Sequence, residues 1–322
     1  MRKMDKTNDF RELASMCLRC GLCTSVCPVH QIESDEYTAA RGRNLLVNRM
    51  VGKGDFTGEF RKRFEKCLIC GSCLARCPQG ISIDLLTLGV REEIVRKKGL
   101  EWTKRLVFRV IMRDRHRFGK VLAMAYKAQR FLPGGEGKIR HMPTFLTSMG
   151  AGRRIPEIAP GFLRDQVKEL SLPPEGVDTR AKVGLFIGCA IDYVFPEIGK
   201  KLITFLNRQG VEVVIPMDQG CCALPVIGAG DRQTAMEMAQ KNVEAFKNVD
   251  IVVTGCATCG SALKDYATFF GMNSDSDGMF KEFSQKVRDF SEFVINDLKL
   301  PEKAFVPERE GRRPIKVTYH DP

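Results

Sequence analysis

The chain has 322 residues, 43% of them hydrophobic and 28% charged, with 13 cysteines and a formal net charge of +12. That length allows two or three domains of ordinary globular composition, and no apolar run approaches the roughly 18 residues of a membrane span. The opening MRKMDKTNDF lacks the apolar core of a secretory signal, so the odd number of cysteines points to a reducing cytoplasm and metal ligation, not to disulfides.

In chain order, residues 1–90 are predicted to form a small domain organised around two cysteine runs. Cys17, Cys20, Cys23 and Cys27 are followed by Pro28, and Cys67, Cys70, Cys73 and Cys77 by Pro78. Both read C-x2-C-x2-C-x3-C-P, the bacterial spacing for a [4Fe–4S] cluster, in which the fourth cysteine ligates the cluster of the other run. This predicts one cluster on Cys17, Cys20, Cys23 and Cys77, and a second on Cys67, Cys70, Cys73 and Cys27. Zinc sites favour two separated C-x2-C pairs, and a duplicated triplet-plus-Cys-Pro does not fit them. Helices are expected from Tyr37 to Met50, burying Ala40, Leu45, Leu46, Val47 and Met50, and from Glu59 to Lys66. The connector is rich in Arg, Leu, Glu and Lys with helical periodicity. That favours an α-helical ferredoxin of two pseudo-twofold halves over a β-hairpin ferredoxin.

Residues 91–130 hold thirteen Lys or Arg against four acids, which concentrates the basic excess locally. They read as one or two amphipathic helices with Leu106, Val107, Val110 and Ile111, then Phe118, Val121, Leu122, Ala125 and Tyr126, on the apolar side. The charge is evidence about a surface, either a solvated face or one that docks anionic lipid or an acidic partner through Arg109, Arg113 and Arg117, and not about nucleic acid binding. Residues 131–180, rich in Pro and Gly, are expected to be an extended linker.

Residues 181–322 alternate strand and helix. Strands are expected at Lys182–Ile187, Val211–Ile215, Ile251–Thr254 and Ile315–Tyr319. Helices are expected at Glu197–Gln209, Asp231–Lys247 with Asp231 as N-cap, 261–270 and 280–298. This is the pattern of a parallel α/β sheet, making the whole an α+β multidomain protein. The remaining cysteines all follow strands: Cys189 the first, Cys221 and Cys222 the second, Cys256 and Cys259 the third. Ligands gather at the carboxyl ends of such strands, so the five are predicted to converge. Small residues beside them (Gly188, Gly220, Gly255, Gly260) leave room for a bulky group.

The order Cys189, Cys221-Cys222, Cys256-x-x-Cys259 resembles the cysteine-rich CCG domain of heterodisulfide reductase and of glycolate oxidase, lactate dehydrogenase and anaerobic glycerol-3-phosphate dehydrogenase iron–sulfur subunits. With the two-cluster module and Arg41-Gly42-Arg43, it is most similar to the glycolate/lactate group. The resemblance implies an electron-transfer subunit beside an FAD-containing dehydrogenase subunit, delivering to quinone or another carrier. It also implies a third cluster, non-cubane in the heterodisulfide reductase branch, held by Cys189, Cys221, Cys222, Cys256 and Cys259. The location expected is cytoplasmic, or peripheral on the inner face of the membrane where 91–130 is a docking surface. Two departures stand out: Ala223 replaces the Gly that normally follows the Cys pair, and only one CCG half is present. Lys316-Val317 repeats the step from Lys182-Val183 to Cys189, which would put a matching cysteine directly after Pro322. The expectation is a chain lacking its second half-domain, roughly a hundred residues by typical domain size.

No dinucleotide fingerprint, P-loop or nucleophile elbow occurs; Ile227-Gly228-Ala229-Gly230-Asp231 has two of the needed glycines and no preceding strand. Hydride chemistry is therefore expected on a partner. His30, His116, His141 and His320 are unclustered and read as surface or packing residues. Three function classes follow: an electron-wire subunit of a 2-hydroxyacid dehydrogenase, a disulfide-reducing subunit, and a non-redox binding protein with structural clusters.

Overall fold

In the computed structural model the described residues are 8–50, 56–129, 131, 134–135, 138–139, 155–270 and 277–301. The chain falls into two units: residues 1–99 with 228–230 and 291–322, and residues 100–227 with 231–290.

The first unit is helical. Helices α1 (Asn8–Ser15), α2 (Leu22–Ser25), α3 (Pro28–Glu33), α4 (Ala40–Met50), α5 (Gly58–Glu65), α6 (Ser72–Ala75) and α7 (Ile83–Lys98) follow one another. Pro28 opens α3, where a missing N–H costs nothing, and the Thr57 hydroxyl caps α5 by accepting from Phe60 N–H. The core joins Ala14, Val47, Phe56, Phe60, Phe64, Leu86, Val90 and Ile94. Phe60 and Phe64, four residues apart on one helix face, stack at 4.6 Å between centroids. The helix expected from Tyr37 begins instead at Ala40, after a 3-10 turn over Glu36–Thr38. Its buried side holds Arg43 and Asn44 as well as Ala40 and Val47, while Leu45 and Leu46 are only half-buried. The boundary expected at residue 90 lies inside α7, whose buried stripe continues through Val90, Arg91 and Ile94.

The second unit begins with α8 (Trp102–Arg105), a π-helical stretch Leu106–Met112 and α9 (Arg115–Gln129). The expected apolar side is covered only in part: no residue of 100–129 is buried, Leu106, Val107, Val110 and Val121 are each at least 40% exposed, and Ile111, Phe118, Leu122, Ala125 and Tyr126 are half-buried. Two of the basic residues expected on a docking surface are engaged inside the unit. Arg109 pairs with buried Asp231, and Arg113 with Glu237, both at 2.8 Å.

The described parts of the stretch expected to be a linker pack into this unit. Short strands β1 (Gly134–Gly135), β2 (Lys138–Ile139) and β3 (Ile155–Pro156) pair antiparallel. Gln129 makes two hydrogen bonds to the Ile158 backbone, and Leu163 is fully buried. Local Pro and Gly content says where the chain turns; it does not say whether a tertiary surface covers the turns.

The main sheet comprises β4 (Leu170–Ser171), β5 (Ala181–Phe186), β6 (Val211–Val214), β7 (Val252–Thr254) and β8 (Val287–Asp289), in the order β4-β6-β5-β7-β8. β5 runs parallel to β6 and β7, β7 runs parallel to β8, and β4 closes the other edge antiparallel to β6. Between them lie α10 (Gly188–Tyr193) and α11 (Pro196–Arg208), then α12 (Leu224–Ala229) and α13 (Arg232–Ala245), then α14 (Ala257–Lys264), α15 (Tyr266–Phe270) and α16 (Asp277–Lys286). The helix expected over 280–298 is interrupted by β8, because Val287 is buried alongside β7 and the ladder overrides local helical periodicity. The strand expected at Ile315–Tyr319 lies outside the described residues, as do His141 and His320.

Candidate metal centres

Each cysteine run of the first unit starts where a helix stops, two residues after α1 and two after α5. The loops then repeat in backbone conformation. Arg19 and Gly21 have φ of +56° and +84°, and Ile69 and Gly71, fifty positions on, have +57° and +71°. Left-handed residues alternating in a tight loop turn N–H groups inward and make an anion-binding concavity, as at many Fe–S sites. A β-branched residue such as Ile69 at positive φ is a true outlier, and such strain clusters at functional sites.

Two cavities result. One is lined by Cys17, Cys20, Cys23 and Cys77, with Arg41 and Arg76. The other is lined by Cys27, Cys67, Cys70 and Cys73, with Arg43 and Asp84. Each thus gathers three cysteines of one run and the fourth of the other. Both back onto an apolar cluster of Ala40, Ile81 and Ile83, against which Cys17, Cys23, Cys73 and Cys77 pack. Ile81 N–H donates to Cys77 Sγ at 3.4 Å. Burial, reinforced by Asp84, pushes the Cys73 thiol up to about 12, and burial also raises Cys23. Among the described residues no three His, Cys, Asp or Glu side chains meet at single-ion distance; in a cubane each thiolate holds a different iron, so the sulfurs surround the cluster.

The Arg41-Gly42-Arg43 segment serves both cavities. A Cβ on Gly42 would sit 2.0 Å from the Glu36 carbonyl oxygen, so only glycine lets α4 start against the preceding turn. Residues two apart on a helix face different ways, and the flanking arginines line different cavities. Arg41 pairs with Glu36 at 2.6 Å and donates to the Arg19 carbonyl. Arg43 donates through Nε to the Arg63 carbonyl at 2.9 Å, but its buried Nη2 has no partner. Gathered thiols and a spare buried cationic donor are the chemistry an anionic, thiolate-bound cluster needs. The residues fit that group.

In the second unit the five remaining cysteines come together at the carboxyl edge of the sheet. Cys189 opens α10 after β5, Cys221 and Cys222 precede α12, and Cys256 caps α14, which carries Cys259 in its first turn. Cys189 and Cys221 approach to 4.0 Å between sulfurs. The thiols interact in the order Cys189, Cys221, Cys222, Cys259, Cys256. Those interactions lower Cys189 and Cys222, bring Cys256 to about 6, and raise Cys221 and Cys259. Five thiols in a buried site cannot all ionise, and their titrations are coupled. Gly188 has φ +59°, and a Cβ there would lie 3.1 Å from Cys259 Sγ. Ala223, in the place of the expected glycine, has a left-handed backbone at φ +64°.

The residues that hold these cysteines in place carry no signal in the sequence. Asn242 accepts from Gly220 N–H at 2.8 Å and donates to the Cys221 carbonyl at 2.9 Å. The Tyr266 hydroxyl donates to the Cys222 carbonyl at 3.0 Å. Gln219 bridges Ile187 N–H and the Leu185 carbonyl. Arg164 pairs with Asp192 at 2.5 Å and donates to the Met217 carbonyl. A small cavity lined by Met112, Arg115, Phe118, Arg164 and Tyr193 adjoins Cys189 and Cys221. These are single polar residues far apart in sequence, and no spacing marks them.

Residues 13–81 match the 4Fe-4S dicluster domain and residues 183–264 the cysteine-rich CCG domain. A probable glycolate oxidase iron-sulfur subunit of Bacillus subtilis is 26% identical over 89% of this chain and 68% of its own length. Lactate utilization protein A of Geobacillus thermodenitrificans is 30% identical over 43% of this chain and 56% of its own. A subunit of the CoM/CoB fumarate reductase of Methanothermobacter marburgensis is 30% identical over 53% of this chain and 29% of its own. The matched regions span 25–32% of the length of several such curated relatives. No solved structure matches. The chain therefore joins a 4Fe-4S dicluster domain to a cysteine-rich CCG domain and is homologous to iron–sulfur subunits of oxidoreductases.

Proposed function

We propose that this chain is the iron–sulfur electron-transfer subunit of a flavin-dependent glycolate or lactate dehydrogenase. Cys17, Cys20, Cys23 and Cys77 would hold one [4Fe–4S] cluster, Cys27, Cys67, Cys70 and Cys73 a second, and Cys189, Cys221, Cys222, Cys256 and Cys259 a third. The observation that carries the reading is the pair of four-cysteine cavities sharing one apolar wall, Ala40, Ile81 and Ile83. When bound, such clusters supply one-electron transfer over potentials set by hydrogen bonds, charge and exposure. The chain's own residues supply that setting: the Ile81 N–H donates to Cys77, the apolar wall covers one side of each site, and the arginines place fixed charge. The partner would be an FAD-containing dehydrogenase subunit, with a quinone or another carrier as acceptor and a cytoplasmic or peripheral membrane location. No described helix is long and apolar enough to cross a membrane.

The test is reconstitution of the full chain with iron and sulfide, followed by dye-linked glycolate or lactate oxidation with a co-purifying flavoprotein. Substrate-dependent bleaching of the iron–sulfur absorbance supports the reading; a flavoprotein that never reduces the chain overturns it. A disulfide-reducing role is a second reading, favoured by the small cavity, with Arg115 and Arg164 in its wall, that adjoins Cys189 and Cys221. Reduction of a disulfide by the isolated, reduced chain would select it.

A further inference from the structure

We infer that Arg43 and Asp84 form an opposed charge pair in the wall of the second cavity, and that they set the reduction potential of its cluster in opposite directions. The inference rests on the reading that Cys27, Cys67, Cys70 and Cys73 hold a cluster.

Arg43 is 2% exposed, yet it makes no ion pair among the described residues. Its Nε is spent on the Arg63 carbonyl, and its buried Nη2 has no hydrogen-bond partner. A buried guanidinium donor left unsatisfied costs several kcal/mol unless an anion completes it. Asp84, in the first turn of α7, lies in the same cavity wall, and its Oδ1 is also buried without a partner. The helix N-terminus favours its charge, and that charge acts on Cys73. The two groups are therefore fixed, of opposite sign, and each has an unused atom in a wall whose other polar groups are thiols, one hydroxyl and backbone.

A four-thiolate [4Fe–4S] cluster is an anion that gains one further negative charge on reduction. A fixed cation stabilises the reduced form more than the oxidised form and raises the potential; a fixed carboxylate lowers it. Burial weakens the screening that would erase either effect at the surface. The first cavity is built differently, with Arg41 satisfied by Glu36 and the Arg19 carbonyl and no acid in its wall. The two halves of the repeat are thus expected to hold their clusters at different potentials.

The experiment is an EPR-monitored redox titration of the reconstituted full chain and of Arg43→Met, Arg43→Lys and Asp84→Asn, after iron and sulfide assay of each. The signal of the second cavity is the one altered in Cys70→Ser. Arg43→Met should lower its midpoint potential and Asp84→Asn raise it, each by a tenfold change or more in the one-electron equilibrium, about 59 mV. Arg43→Lys should lie nearer the wild type, and the first cluster should move little. If Arg43→Met does not load, Asp84→Asn and Arg43→Lys carry the test. Unmoved potentials, or shifts of one sign in the Met and Asn variants, would overturn the inference and leave Arg43 as a structural tie to Arg63. Failure of the wild type to load the second cavity would instead overturn the cluster reading.

Discussion

At Gly188 the backbone is left-handed, with φ +59°, and lies against the Cys259 sulfur. That conformation costs an L-residue about 1–2 kcal/mol, and a methyl group would meet Cys259 Sγ at 3.1 Å. Gly188→Ala should therefore destabilise the second unit by about 1–2 kcal/mol and lower iron uptake there, read by urea melts and iron assay. Ala223, already left-handed at φ +64°, shows that the fold tolerates such strain where the added methyl has space. Thiol protonation supplies a second prediction. The Cys73 thiol titrates near 9.0 when free and near 12 when folded. Its contribution to stability is complete below about pH 9 and is lost as pH rises toward 12, because the unfolded thiol ionises first. Denaturant melts of the iron-free chain should show falling stability over that range. Iron uptake should change in the other direction, strengthening as pH rises, since ligation requires the thiolate.

Elements are where the sequence pattern was most often overruled. The segment 102–129 has a helical period, yet Leu106, Val107, Val110 and Val121 on its apolar side are exposed, and two of its arginines are tied to α13 or its N-cap. Asp231 begins α13 as expected of an N-cap, but its side chain makes no capping bond; it accepts from Arg109 instead. Arg109→Ala would leave a 3% exposed carboxylate unpaired and should cost about 1–3 kcal/mol, seen as a lower urea midpoint with an unchanged slope. Equal stability would mean that the pair is screened away. Arg105, Arg117 and Lys120 make no ion pair among the described residues, so they, and not Arg109 or Arg113, are the positions at which charge reversal would probe an anionic surface.

On the scale of the whole molecule, the crossed grouping of cysteines makes the two halves of the first unit interdependent. Cys27 lines the cavity of the second run and Cys77 that of the first. Cys27→Ala should damage the cluster of Cys67, Cys70 and Cys73, and spare that of its own run. Iron content should fall from about eight toward four per pair of sites, with one EPR signal lost. Loss of the first cluster alone would mean that each run keeps its own fourth ligand. In the second unit, the five thiols depend on a sheet whose strands lie up to about a hundred residues apart in sequence, from β5 to β8. Asn242→Ala, removing bonds to Gly220 and to Cys221, should cost about 2 kcal/mol or more and reduce iron uptake at that site without touching the first unit.

The cysteine spacing, read alone, determined that the chain has two four-cysteine loops of Fe–S spacing and a convergent second group, because ligand geometry is written in steps of a few residues. The alternation of strand and helix likewise announced a parallel sheet, since burial imposes its period locally. What tertiary structure alone decided is everything that depends on distant polar partners. Arg43 and Asn44 are buried where periodicity called for leucine; Asn242, Tyr266 and Gln219 clamp loops they do not adjoin; and β8 breaks a helical pattern. Hydrogen bonds between single residues far apart in the chain leave no repeat and no spacing, so only the folded chain reveals them.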